Sequence, residues 1–226
     1  MIIIENLSKN YGAKLALRSI NINFEEGKVY GIVGENGSGK TTLFNCIAGI
    51  EKYEGAITSP EIKLKDRIGF LQTDPYFFSK ITGREYIQLL CNARQKNTGD
   101  IDQRNVFELP LDQYAETYST GMKKKLALTA ILFQENKYFI FDEPFNGVDI
   151  QSNIIIIDIL KKLKSLGKTI IISSHIFSTL NDICDEIHLL KSGIFIQKAL
   201  KDDFGKLEAE MKSFIIGNKI DQLLLK

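Results

Sequence analysis

The chain has 226 residues, 44% of them hydrophobic and 25% charged, a balance that excludes a disordered chain and suits one large domain, with or without an inserted lobe. Its 29 basic and 28 acidic side chains leave a formal net charge of +1, too small a basic excess for a protein that grips nucleic acid through its phosphates. Three widely separated cysteines (Cys46, Cys91 and Cys184) contain no CxxC pair, which argues against a disulfide framework or a zinc site and for a reducing cytosol.

Residues 1–25 carry charges and no apolar run ending in a small-residue cleavage site, so no secretory signal is expected. Strands are predicted at Ile2 to Asn6, Ile20 to Phe24 and Val29 to Val33, followed by a helix from Lys40 and a strand at Ile68 to Leu71. From Asp74 to Gln134 helical patterns replace strands, with starts near Thr82 and at Thr120 and a polar break at Lys96 to Gln103. Strands return at Tyr138 to Phe141, Thr169 to Ser173 and Glu186 to Leu190, alternating with helices from near Ile150, at Phe177 and near Lys201. The alternation predicts an α/β fold with a largely parallel sheet, in which residues 74–134 form a helical lobe inserted into a core of 1–73 and 135–226. The most apolar stretch, Ile154 to Ile157, is cut by Asp158, far short of the about 20 apolar residues of a membrane span, so any membrane role is expected to run through a partner.

Gly34-Glu35-Asn36-Gly37-Ser38-Gly39-Lys40-Thr41-Thr42 is a complete phosphate-binding loop, set between an apolar strand and a helix. Glycines allow the tight path that aims successive N–H groups at one point, and the helix N-terminus adds positive potential there. Lys40 is expected to reach the β- and γ-phosphates, and Thr41 to offer its hydroxyl to Mg²⁺. A lone Gly-rich turn would carry little weight, but the full pattern in this context points to nucleotide binding.

Tyr138-Phe139-Ile140-Phe141-Asp142-Glu143-Pro144 is an apolar strand that ends in two carboxylates. Asp142 at its tip is placed to order a Mg²⁺ shell beside Thr41, and Glu143 to activate water as a general base. By itself the segment reads equally well as a strand running into a polar turn.

With these two motifs in place, the chain resembles the ABC ATPase family over nearly its whole length. Tyr11 matches the aromatic that stacks on adenine, and Gln72 the glutamine that touches Mg²⁺ and the water. Tyr118-Ser119-Thr120-Gly121-Met122 sits where the signature belongs, and Asn146-Gly147-Val148-Asp149 matches the loop that meets a second cassette. His175 matches the switch histidine near the γ-phosphate. Taken singly, each has a bland reading: a half-buried aromatic, a strand-end polar residue, a helix N-cap, a structural histidine. His188, with no motif around it, is read as structural. The resemblance implies a P-loop ABC-cassette fold with an N-terminal antiparallel β region and an inserted helical subdomain. It also implies ATP and Mg²⁺ as cofactors, and a head-to-tail pair of cassettes, a homodimer in the simplest case. In that pair Ser119 and Gly121 contact the γ-phosphate held by the opposite subunit.

The signature departs from the common LSGGQ at Tyr118, Thr120 and Met122, which bears on affinity more than on hydrolysis. A YSxGM-type signature followed by Lys123, Lys124 and Lys125 resembles the ABC-2 exporter branch, which handles drugs, peptides and lantibiotics. The resemblance therefore implies a transmembrane permease subunit as partner and a peripheral place on the cytoplasmic face of the cell membrane. In the family, the region of Asp74-Pro75-Tyr76-Phe77-Phe78 meets the membrane subunit; core packing is the competing expectation, and exposed rings would favour docking. A soluble remodelling ATPase stays open as an alternative, as does a silent nucleotide switch, although Glu143 and His175 argue against the switch. The stretch from Lys201 to Lys226 is short, so an appended β-domain of the kind importers carry is not expected.

Overall fold

The computed structural model describes residues 1–174 and 177–216. β1 (Ile2–Tyr11) and β2 (Lys14–Phe24) form an antiparallel ribbon closed by the pair Tyr11↔Lys14. The turn between them uses Gly12 at φ 58°, a conformation that costs glycine nothing. β4 (Glu54–Thr58) pairs antiparallel with the other edge of β1, giving a three-stranded sheet in the order β2-β1-β4.

The larger sheet starts from β3 (Val29–Val33), whose five residues are all buried. β5 (Ile68–Leu71), β6 (Tyr138–Asp142), β7 (Thr169–Ser173) and β8 (Glu186–Lys191) run parallel with it, and β9 (Ile194–Leu200) returns antiparallel on β8. The strand order is β5-β6-β7-β3-β8-β9. Alternate side chains feed two cores, as a sheet covered on both faces requires. Tyr30, Ile32, Tyr138, Ile140 and Ile171 pack with Leu43, Phe44 and the small sheet. Val29, Val33, Phe139, Phe141, Ile170 and Ile172 pack on the opposite side against helices.

The α-helices among the described residues are α1 (Lys40–Ile47), which carries Leu43 and Phe44, then α2 (Gly83–Ala93), α3 (Thr120–Phe133), α4 (Ile150–Ser165), α5 (Phe177–Ile183) and α6 (Phe204–Ile216). Three of their starts follow from capping chemistry. Thr82 and Glu85 form a reciprocal capping box on α2, Ser119 accepts the Met122 N–H at α3, and Asp149 accepts the Ser152 N–H at α4. Between Leu71 and Tyr138 the only β pairing among the described residues is the isolated bridge Thr82↔Tyr114.

β1 and β2 are longer than the apolar runs predict, because Asn6 and Ser19 at positive φ bulge the ribbon and let it continue. β4 and β9 are not expected from the sequence. Both sit at sheet edges, where half-exposed residues weaken the apolar pattern. No described helix is long and apolar enough to cross a membrane.

Candidate functional site

The loop after β3 folds back so that Lys40 Nζ donates to the carbonyls of Gly34 (2.7 Å) and Glu35 (3.2 Å). Gly34 allows no side chain: a Cβ there would lie 2.2 Å from the Leu190 carbonyl oxygen and 2.7 Å from Ser38 Oγ. α1 begins from Gly39 at φ 114° with no side-chain cap, in contrast to α2, α3 and α4. Its first-turn N–H groups therefore lie where they can serve a phosphate. Lys40 is buried, and that burial pulls its pKa below the usual lysine value, offset in part by the charges of Glu143 and Asp142.

β6 delivers its carboxylates to the same place. Thr41 Oγ1 donates to Asp142 Oδ2 at 2.6 Å, and Ser173 Oγ donates to Asp142 Oδ1 at 2.6 Å. The register of β6 on β7 sets Asp142 beside Ser173. Glu143 follows at φ 51°, in the left-handed region, so the chain turns sharply off the strand tip. Its N–H donates to Ser173 Oγ at 3.0 Å, and its carbonyl accepts from Lys124 Nζ at 2.9 Å.

These elements enclose a cleft of about 440 Å³ lined by Tyr11, Asn36, Gly37, Gly39, Lys40, Thr41, Thr42, Asp142 and Glu143, all expected from the sequence. Lys14, Ala16, Thr73 and Asn146 line it too, without a sequence signal that marks them as ligand-facing. Gly34 and Ser38 belong to the loop but do not line the cleft. Tyr11 is 44% exposed, with Lys9 Nζ 4.7 Å from its ring centre.

Gln72 faces a neighbouring cavity of about 340 Å³, shared with Ala48, Tyr76, Tyr86 and Ile131, while the next residue, Thr73, lines the cleft. Ser119 and Gly121 begin α3 outside the cleft of their own chain. His175 lies outside the described residues. Ser173 and Lys124 also belong to the site, and no motif announces either of them. Ser173 is revealed by the strand order alone, and Lys124 has the sequence context of a solvated lysine run. His188 is buried against Glu186 and the rings of Tyr30 and Phe195.

The three consecutive rings divide. Phe77 packs on Tyr86 with centroids 4.6 Å apart, while Tyr76 and Phe78 are exposed and meet edge to face at 5.5 Å.

An all-oxygen pair, a hydroxyl and a buried carboxylate in hydrogen-bond contact, fits the hard ligand preference of Mg²⁺. The uncapped helix start and the buried lysine fit the phosphates of a nucleotide.

Comparison with known proteins points to one family. The family described as ABC transporter matches residues 17–146. The lantibiotic transport ATP-binding protein SrtF of Streptococcus pyogenes is 29% identical, over 97% of this chain and 99% of its own length. The bacitracin transport ATP-binding protein BcrA of Enterococcus faecalis is 30% identical, over 95% of this chain and 74% of its own. An uncharacterised ABC transporter ATP-binding protein of Bacillus subtilis, YdbJ, is 29% identical; the match spans 84% of this chain and 66% of that protein. Among solved structures, the ATP binding subunit of an ABC transporter has a TM-score of 0.79 at 23% identity, with 99% of this chain and 98% of that one covered. The structure of cbiO1 from Clostridium perfringens, part of the transporter complex cbiONQ, gives 0.73 at 28% identity with the same coverage.

Proposed function

The chain belongs to the ABC transporter family, and from that membership we propose that it is the ATP-hydrolysing subunit of an exporter, driving a separate transmembrane protein. The observation that carries the proposal is the meeting of Lys40, Thr41, Asp142 and Glu143 around one cleft. Lys40 and the N–H groups at the start of α1 hold the β- and γ-phosphates. Thr41 and Asp142 would hold Mg²⁺, which would supply positive charge to offset that of the phosphates. Glu143 takes the proton of the attacking water; it lines the cleft, and its backbone is held by Ser173 and Lys124. Tyr11 offers an exposed ring for the adenine.

Ser119 and Gly121 act on the nucleotide of a second cassette, so ATP links two copies and hydrolysis lets them part. By the family pattern Gln72 and His175 would act at the γ-phosphate, Gln72 from the neighbouring cavity that it lines in this chain. The domain reading follows: 74–134 as the helical signature lobe of a single cassette whose core is 1–73 and 135–226. The membrane partner is supported by the exposed Tyr76–Phe78 pair beside the Gln72 cavity, an apolar feature suited to docking. The chain would then work at the cytoplasmic face of a membrane. SrtF and BcrA, named for lantibiotic and bacitracin transport, support an exporter of peptide-like cargo.

Glu143→Gln tests the chemistry. Mg-ATP binding is expected to persist while turnover falls by about 10²- to 10⁴-fold. Normal turnover would remove Glu143 from the role of base. Affinity purification of this Glu143→Gln chain from detergent-solubilised cells tests the partner: a polytopic membrane protein in near-equal amount is expected, and soluble partners alone would favour a remodelling ATPase.

A further inference from the structure

The lysine run after the signature is not a uniformly solvated stripe. Lys124 is 2% exposed, and its ammonium donates to two backbone carbonyls, Glu143 at 2.9 Å and Asn146 at 3.0 Å. The Glu143 carbonyl also accepts the Asn146 N–H at 3.3 Å, so both of its lone pairs are engaged. On one side Gly121 packs against the same loop, so closely that a Cβ would lie 2.6 Å from the Gly147 carbonyl oxygen. On the other side Lys125 reaches Asp149 Oδ2 at 3.3 Å and Ser152 Oγ at 3.1 Å. The first two turns of α3 thus hold residues 143–149 at three points, and Lys124 is the central one.

We infer that Lys124 is a positioning residue that ties the backbone of Glu143 to α3, so that the seat of the signature helix sets the aim of the catalytic carboxylate. This rests on Glu143 acting as base. A buried ammonium needs nearly all its donors satisfied, and carbonyls of a left-handed turn that face one way supply acceptors a helix or strand would have used internally. Glu143, at positive φ, holds a conformation that other backbone geometries compete with, so an external tether changes its population. Lys124 lies five residues beyond Ser119, about 7.5 Å along the helix axis. In a closed pair Ser119 serves the partner's nucleotide while Glu143 serves its own. Lys124 therefore joins the two nucleotide sites through one rigid helix.

The test uses the full chain with Lys124→Met, which keeps the length and removes every donor. Expected is a drop in kcat of about tenfold or more with KM for ATP within about twofold. Amide exchange across 143–148 is expected to quicken by about tenfold while β3 and α1 stay protected. Unchanged exchange in 143–148, or kcat and KM shifting together, would overturn the inference. Should Lys124→Met fail to fold, Lys124→Gln, which keeps an N–H donor, carries the same test with a smaller local loosening. A wild-type chain that hydrolysed no ATP would defeat the proposed function, and the exchange measurement would still decide this tether.

Discussion

Ser173 Oγ donates a 2.6 Å hydrogen bond to Asp142 Oδ1 while accepting the Glu143 N–H at 3.0 Å, so one hydroxyl fixes both carboxylate-bearing residues. Ser173→Ala would remove a charge-assisted bond and leave a buried N–H without that acceptor. The expected loss is about 2–3 kcal/mol of stability, read from the urea midpoint. Turnover should fall as well, because Asp142 loses one of its two anchors. A stability change under about 0.5 kcal/mol would mean that the pair holds itself without the hydroxyl.

Lys40→Ala should act on binding rather than on folding. The ammonium is held by the carbonyls of Gly34 and Glu35 and is already buried, so it stands ready for phosphate without reorganising. Removing a charge-assisted contact of about 1.5–3 kcal/mol should raise the Kd for Mg-ATP by roughly ten- to a hundredfold. Titration calorimetry on the purified chain reads it directly. Affinity within a factor of two of the parent would show that the phosphates sit elsewhere.

Gly121→Ala probes the contact of α3 with residues 146–149. The added methyl would sit 2.6 Å from the Gly147 carbonyl oxygen, so backbone must move. Overpacking of this kind costs about 1–3 kcal/mol, and here the displaced segment carries Asn146 and adjoins Glu143. The ATPase rate should fall about tenfold or more. Gly205→Ala, near the start of α6 with nothing within 4 Å of its Cβ, is the matched control and should leave the rate alone.

How much of this could be read in advance depends on whether the signal is local. β3, the phosphate loop and α1 sit within a short stretch of chain, and their limits follow from the sequence alone. Thr41 and Asp142 are 101 residues apart, yet the two motifs at their positions announce the pairing. Edge strands β4 and β9 had no such help, since their half-exposed residues give a weak pattern and each pairs along one edge only. Lys124 was hidden for a different reason. Composition makes three adjacent lysines resemble a solvated run, and only the loop it meets supplies acceptors for an ammonium that is 2% exposed. Gln72 shows the reverse limit: its motif match was legible, but its side chain lines the neighbouring cavity and Thr73 the cleft.

A pH effect on stability should come from His188. Its Nε2 meets Glu186 Oε1 at 2.5 Å, and Lys198 across the β8–β9 ladder bonds the same oxygen at 2.9 Å. Burial among Tyr30 and Phe195 dominates, and lowers the imidazole pKa below its ordinary 6.5; Glu186 opposes the shift and Lys198 adds to it. The unfolded chain therefore takes up a proton at this residue at a pH where the folded chain still refuses it. Folding stability is then fully present above pH 6.5 and declines as pH falls from there through the lower folded value. His188→Gln should flatten that part of the profile, because glutamine takes up no proton in either state. Urea midpoints at half-unit steps between about pH 5 and pH 8 read the effect. A His188→Gln profile parallel to the parent's throughout would mean that the acid sensitivity arises at other groups.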